Sequence, residues 1–127
     1  RLIKCHFPNL LVVGQCCFMY STIRSFIAPK CQIVENQAFC GCYCLSEVVV
    51  NQLIEIEHQA FCTCNVKEFY CPKVQRVGNC AFSYSSISKA DFGSCKEISA
   101  SSFERCQKVE LISGLSKEQE IFQDDKY

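Results

Sequence analysis

Five cysteines alternate along two short segments of the chain and form its densest group of reactive side chains. Cys40, Cys42 and Cys44 alternate in the first segment, and Cys62 and Cys64 alternate in the second, 22 residues later. If the two segments stack, Cys40 lies on Cys62 and Cys42 lies on Cys64, which brings four sulfurs together. Four sulfurs suffice for a structural zinc site, and two stacked sulfurs allow a disulfide.

The spacing argues against the metal. Zinc-binding cysteines usually follow the pattern Cys-x-x-Cys, whereas these cysteines alternate. Side chains from a core position and from an outward position of the repeat would therefore have to bind the same zinc ion. We therefore predict no metal and no cofactor. Zinc and a disulfide between Cys40 and Cys62 remain the alternatives.

Catalytic patterns are missing from the sequence. The two histidines, His6 and His58, lie more than two repeats apart and are not expected to meet. Cys5 and His6 are neighbours in a predicted strand, where adjacent side chains point to opposite faces. No glycine-rich phosphate loop or nucleophile elbow occurs. We predict no catalytic residue and no enzymatic activity.

A repeat of 21 or 22 residues must position these side chains. A small residue followed by Phe recurs at regular spacing, and a period in this range is typical of stacked-repeat solenoids. Positions 5, 8, 11, 13 and 16 residues before each Phe are apolar in every copy. We number positions from this anchor Phe, so that −5 lies five residues before it. The anchor residues are Phe18, Phe39, Phe61, Phe82 and Phe103.

Each repeat is predicted to contain one strand, one turn and one return segment. Positions −13 and −11 are apolar and −12 lies between them, and this alternation predicts a short strand. Turn-forming residues occupy position −10: Pro8, Pro29, Asn51, Pro72 and Gly93. Apolar positions −8, −5 and 0 then fit a short helical, 3₁₀ or irregular return. The fold class predicted is an α/β-type solenoid with one parallel β-sheet face.

With these positions assigned, the chain resembles the BspA-type leucine-rich repeats. The resemblance rests on Ala-Phe-x-x-Cys followed by Leu or Val, as in residues 38–45 and 60–66, and in part in residues 103–109. Ser21 and Ser85 replace the Cys in two repeats. The family is similar across bacterial surface proteins and many protist proteins, and the resemblance implies interaction or adhesion rather than catalysis.

Most of the 13 cysteines are predicted to be core residues. Reduced Cys is a small hydrophobe that suits a thin repeat. An odd number of cysteines held in fixed repeat positions favours an intracellular reducing compartment, with the cell surface as the alternative. The cysteines predicted to lie in the core are Cys5, Cys31, Cys42, Cys64, Cys71, Cys95 and Cys106.

Composition limits the partners. Lys plus Arg and Asp plus Glu both number 13, so no basic face for nucleic acid is expected, and no apolar run is long enough to span a membrane. We predict a solenoid of about five repeats over residues 1–113 and a charged tail or linker over residues 114–127. Neither end shows a polar cap, so further repeats, or a larger assembly, are expected to cover the ends.

The outward side of the predicted strands, called the strand face below, is the candidate binding surface. Stacking places Ile27, Val49 and Tyr70 side by side at position −12, with Glu47 and Glu68 at the rim. A group of exposed apolar side chains with a charged rim is typical of a protein partner site. We predict a protein-interaction scaffold. The alternatives are a structural component of a larger assembly and a surface adhesion repeat.

Overall fold

The computed structural model describes residues 3–115, which fold into a parallel β-solenoid of about five coils. Each of five coils carries a three-residue strand on the strand face, where the alternating pattern predicts one, and a sixth such strand follows the last of these coils. The strand-face strands are β1 (Lys4–His6), β3 (Ser25–Ile27), β5 (Glu47–Val49), β7 (Glu68–Tyr70), β9 (Lys89–Asp91) and β11 (Glu110–Ile112).

A second, two-residue strand follows the turn in each of five coils. These strands end at the β-branched residues of position −5 and form one continuous parallel sheet of five strands. They are β2 (Val12–Val13), β4 (Ile33–Val34), β6 (Glu55–Ile56), β8 (Arg76–Val77) and β10 (Glu97–Ile98).

The return segments differ from the helical form that the sequence allowed. Residues 3–115 contain no helix, and therefore none that could cross a membrane. Around the anchor Phe residues, successive backbone N–H groups donate in turn to a carbonyl in the next coil and to a carbonyl in their own coil. The N–H of Phe39 donates to the carbonyl of Ala60 in the next coil (2.8 Å), whereas the N–H of Cys40 donates to Gln37 in its own coil (3.2 Å). The expected α/β character is thus replaced by turns that pair between coils.

Positive φ angles make this alternation possible. In the first four repeats the residues two before and two after the anchor Phe lie in the left-handed region, as Gln59 (φ 54°) and Thr63 (φ 62°) do around Phe61. In the fifth repeat only Arg105, two after Phe103, does so. A left-handed residue every few positions is incompatible with a right-handed helix. The backbone instead presents N–H groups to the neighbouring coil, so the stack is held by hydrogen bonds on this side as well.

The core is a column of stacked phenyl rings surrounded by the apolar positions of the repeat. Consecutive anchor rings lie 5.3, 5.1, 5.5 and 5.6 Å apart, centroid to centroid, and are nearly parallel. Phe39, Phe61, Phe82 and Phe103 are fully buried. Most core positions assigned from the sequence are buried as predicted, although Phe7 in the first coil is exposed and Cys5 is only half-buried. The anchor Phe residues fix the spacing of the coils.

Candidate functional site

The strand face brings together two of the three apolar residues proposed for partner binding. Ile27 of β3 pairs directly with Val49 of β5 in the parallel register, and both side chains are half-buried. Tyr70 of β7 is 54% exposed and pairs with Asp91 of β9 rather than with Val49.

The strand face is divided into two sheets. Among the described residues, β1, β3 and β5 form one three-stranded parallel sheet, and β7, β9 and β11 form another. The expectation of one parallel sheet on this face is therefore wrong. The coils still stack across the division, because the anchor rings of Phe39 and Phe61 remain in contact there and the five-stranded sheet is continuous.

The two acidic rim residues have different surroundings. Glu68 is exposed and lies beside Lys89 in the register of β7 and β9. Glu47 accepts a short hydrogen bond from the hydroxyl of Ser25. Ser25 is only 2% exposed, although it lies at the strand-face position that pairs with Glu47. Glu47 covers the small Ser25 side chain and satisfies its hydroxyl group.

The stacked cysteines meet as their spacing predicts, as free thiols. The N–H of Gly41 donates to the carbonyl of Cys62 (2.9 Å), which holds the two segments in register. Burial, then the neighbouring sulfur of Cys62, raises the pKa of Cys40 to about 11. Burial also raises the pKa of Cys42 to about 11 and that of Cys64 far above its usual range. These thiols are protonated at neutral pH.

The cysteine three residues after the anchor Phe has a structural role. The Cys42 thiol donates to the carbonyl of Phe18 in the preceding coil (2.9 Å). Cys64 donates in the same way to Phe39, and Cys106 to Phe82. A thiol in this position is small enough for the core and satisfies a buried carbonyl. This contact explains why Cys follows Ala-Phe at a fixed distance in the repeat.

The side chains that could bind a metal ion are dispersed within residues 3–115, and the two histidines do not meet. No group of three or more His, Cys, Asp or Glu side chains there is arranged to hold a metal ion. His6 lies exposed on the strand face, whereas the ring of His58 contacts the carbonyl of Asn79 in the next coil (3.1 Å). The two histidines thus lie on different coils and different sides of the solenoid.

Thiol reactivity should follow burial. We expect a small thiol reagent at pH 8 to modify Cys16 and Cys17 first, because both are exposed and reaction requires an accessible thiolate. Seven buried thiols, Cys64 among them, should react only after unfolding. Time-resolved labelling with peptide mass spectrometry measures each rate, and the protein in guanidinium chloride is the control. Equal rates at Cys16 and Cys64 in the folded protein would contradict the structure.

Sequence reasoning missed an ionic ladder on the five-stranded sheet. Arg76 of β8 contacts Glu55 of β6 (2.5 Å) and Glu97 of β10 (3.3 Å). The hydrogen bond to Glu97 and the charge of Glu55 raise the pKa of Arg76. Aligning position −6 across the repeats places these three residues in one row, so the signal was present in the sequence. Arg76 thus offsets one of the two negative charges in this row.

Comparison with protein families identifies the repeat. The model of the BspA type leucine rich repeat region matches six copies within residues 11–125. Comparisons with curated proteins and with solved structures gave no match. The matched region includes the anchor Phe residues, the Cys position that follows them and every strand from β2 onward.

Proposed function

The chain belongs to the BspA-type leucine-rich repeat family, and on that basis we propose that it is a non-catalytic scaffold that binds a protein partner through its strand face. The family provides a repeat scaffold that is often used for protein interaction or surface adhesion, and it is generally non-catalytic. Solenoids of this kind present extended surfaces to their partners. The proposal assigns the central contact to Ile27, Val49 and Tyr70.

The exposure of Tyr70 is the observation that carries this proposal. Its side chain is 54% exposed at the centre of the strand face, while the paired Ile27 and Val49 form a half-buried apolar surface one sheet away. Tyrosine is enriched among residues that dominate binding energy, because it offers a large contact area and a hydroxyl group. A partner that covered Tyr70 would also reach Val49 on the adjacent coil.

The charges around this surface indicate the chemistry of the partner. Glu68 and Asp91 flank Tyr70, and Glu47 lies beside Val49 on the same strand. With three carboxylates against the ammonium group of Lys89, the rim is acidic on balance, and it is complementary to a protein segment that has an apolar side chain between basic residues. We therefore expect a protein partner with a basic rim, and binding that weakens as salt concentration rises.

Affinity capture with a double variant tests the proposed surface. We expect Val49→Asp combined with Tyr70→Ala to reduce recovery of the partner at least about tenfold, since central interface residues contribute about 2 kcal/mol or more each. The partner is identified by mass spectrometry of material captured with the unsubstituted chain. Melting temperatures establish that the variant remains folded.

A matched double variant away from the strand face provides the control. Val12→Asp with Tyr84→Ala changes the same residue types at positions 41% and 60% exposed, on the five-stranded sheet and in a return segment. Capture by this control should equal that of the unsubstituted chain. Undiminished capture by the Val49 and Tyr70 variant, or equal loss by the control, would reject the strand face as the binding surface.

A structural role in a larger assembly is the second candidate. Phe7 occupies a core position of the repeat, yet it is 37% exposed in the first coil, whereas Phe92 at the equivalent position is fully buried. Packing against the first coil would bury Phe7 and its exposed apolar neighbour Ile3. Light scattering separates the two roles. An increase of particle mass with protein concentration that Phe7→Asp abolishes supports assembly. Partner capture by a chain whose particle mass does not increase supports the scaffold.

A further inference from the structure

A depression with basic walls lies at the corner between the last return segments and the strand face. It has a volume of about 500 Å³, and three consecutive coils contribute to its lining. Lys67 comes from one coil, the serine-rich residues 85–88 come from the next, and Arg105 and Lys108 come from the third. The volume lies within the range of small-ligand sites.

The charge of this depression is unbalanced. Its lining holds three cationic side chains and no carboxylate, although the whole chain carries equal numbers of acidic and basic residues. Among residues 3–115, the ammonium groups of Lys67 and Lys108 have no carboxylate within ion-pair distance. These two ammonium groups, which have no counter-charge in the described part of the chain, raise the local electrostatic potential and attract anions.

The fold fixes the positions of these groups. The carbonyl of Lys67 accepts hydrogen bonds from the N–H of Ser88 (2.8 Å) and from its hydroxyl (3.2 Å). The N–H of Ser86 donates to the carbonyl of Cys64 (3.1 Å), which holds the serine segment against the preceding coil. Ile87 is buried beneath it. The backbone that carries Lys67 and the exposed hydroxyl groups of Ser86 and Ser88 is therefore anchored.

The repeat itself does not require basic residues at this corner. In the second coil, the equivalent stretch after the anchor Phe contains Gly41, Cys42, Tyr43 and Cys44 and has no cation. In the last coil, the corresponding stretch runs Arg105, Cys106, Gln107 and Lys108. Cys106 keeps the structural position of Cys42, whereas Arg105 and Lys108 beside it are basic. The repeat fold therefore does not explain these two cations.

We propose that this depression binds a phosphate monoester. A phosphoryl group offers three acceptor oxygens and close to two negative charges at neutral pH. The ammonium groups of Lys67 and Lys108 contact the oxygens, and the hydroxyl of Ser86, which also lines the depression, donates to them. The volume leaves room for the group that carries the phosphate. The same chemistry is offered by a free metabolite and by a phosphorylated serine.

Titration followed by NMR, using the whole chain, tests this site. The probes are glycerol phosphate, N-acetyl-phosphoserine amide and, as the neutral control, N-acetyl-serine amide. We expect both phosphate esters to shift the amide signals of residues 85–88 and 105–108, and the neutral probe to leave them unchanged. Tighter binding of one ester distinguishes a metabolite source from a phosphorylated protein.

Single substitutions make the result specific. Lys67→Ala and Lys108→Ala should each weaken binding about fivefold to tenfold, because a charge-assisted hydrogen bond to phosphate is lost. Lys30→Ala removes one positive charge from an exposed lysine outside the depression and should leave the affinity unchanged. No shift with either ester at 10 mM, about the weakest binding of use, or equal weakening by Lys30→Ala, would overturn the proposal.

Discussion

Replacing Phe61 by Ala should lower the free energy of unfolding by about 3–5 kcal/mol, the range for Phe-to-Ala changes in a packed core. Phe61 is fully buried and stacks between Phe39 (5.1 Å) and Phe82 (5.5 Å). Phe69 also meets its ring edge-on at 4.9 Å. The substitution removes the middle ring of the column and leaves a cavity between two coils.

Denaturation in urea measures both the size of this loss and its effect on cooperativity. Coils contact only their neighbours, so a weakened central contact separates the stack into two parts. We expect a lower transition midpoint and a smaller slope, because less surface is exposed in each step. Phe7→Ala is the matched control. Phe7 is 37% exposed, so its loss should be about 1–2 kcal/mol. Equal losses for the two variants would contradict the stacked core.

Replacing Gly93 by Ala should destabilise the protein by about 2–4 kcal/mol, from backbone strain and steric overlap together. Gly93 has a φ of +58°, which side-chain-bearing residues adopt at a cost. A Cβ atom there would lie 2.1 Å from the carbonyl oxygen of Pro72 in the preceding coil. Because that oxygen belongs to the backbone, the overlap is relieved only by moving one coil away from the other.

Gly14→Ala is the control for this prediction. A Cβ atom at Gly14 would meet nothing closer than a Glu35 carboxylate oxygen at 3.9 Å, and its φ is not positive. Thermal unfolding of this variant should differ from the unsubstituted protein by less than about 0.5 kcal/mol, as is usual for unstrained surface changes. A Gly93→Ala protein as stable as Gly14→Ala would show that the turn is not constrained as described.

The sequence was sufficient to predict the apolar positions, the turn and the strand of each repeat. Equivalent positions are separated by 21 or 22 residues, so each core position recurs in every copy. The residues at one position in successive copies form a row, and their shared apolar character is visible in the sequence. Val34, Ile56 and Val77, for example, all lie in the same row and are all buried. The family follows from the same rows, because Ala, Phe and Cys recur with fixed spacing.

The return segments and the second sheet were beyond sequence reasoning. A two-residue strand such as Glu55–Ile56 is too short to show alternation, so its pairing is visible only after the coils are stacked. The left-handed residues include Gln37, Thr63 and Arg105, which are not glycines and give no local signal. Inter-coil hydrogen bonds stabilise these conformations, and such long-range contacts are not encoded by local propensity.

The candidate sites were predicted unevenly for the same reason. Row alignment placed Ile27 beside Val49 and Cys40 beside Cys62, and these are neighbours in the structure. The division of the strand face between β5 and β7 could not be inferred from the rows. The basic depression was missed because Lys67, Arg105 and Lys108 come from different rows and meet only at the corner of the coil.

Hydroxyl-radical footprinting of the captured complex tests the binding face most directly, because exposed tyrosines mark different sides of the solenoid. Tyr70 lies on the strand face, whereas Tyr20 and Tyr84 lie in return segments, and all three are more than half exposed. We predict that the partner protects Tyr70 and leaves the oxidation rates of Tyr20 and Tyr84 unchanged. Protection of Tyr20 or Tyr84 with Tyr70 still fully reactive would contradict binding through the strand face.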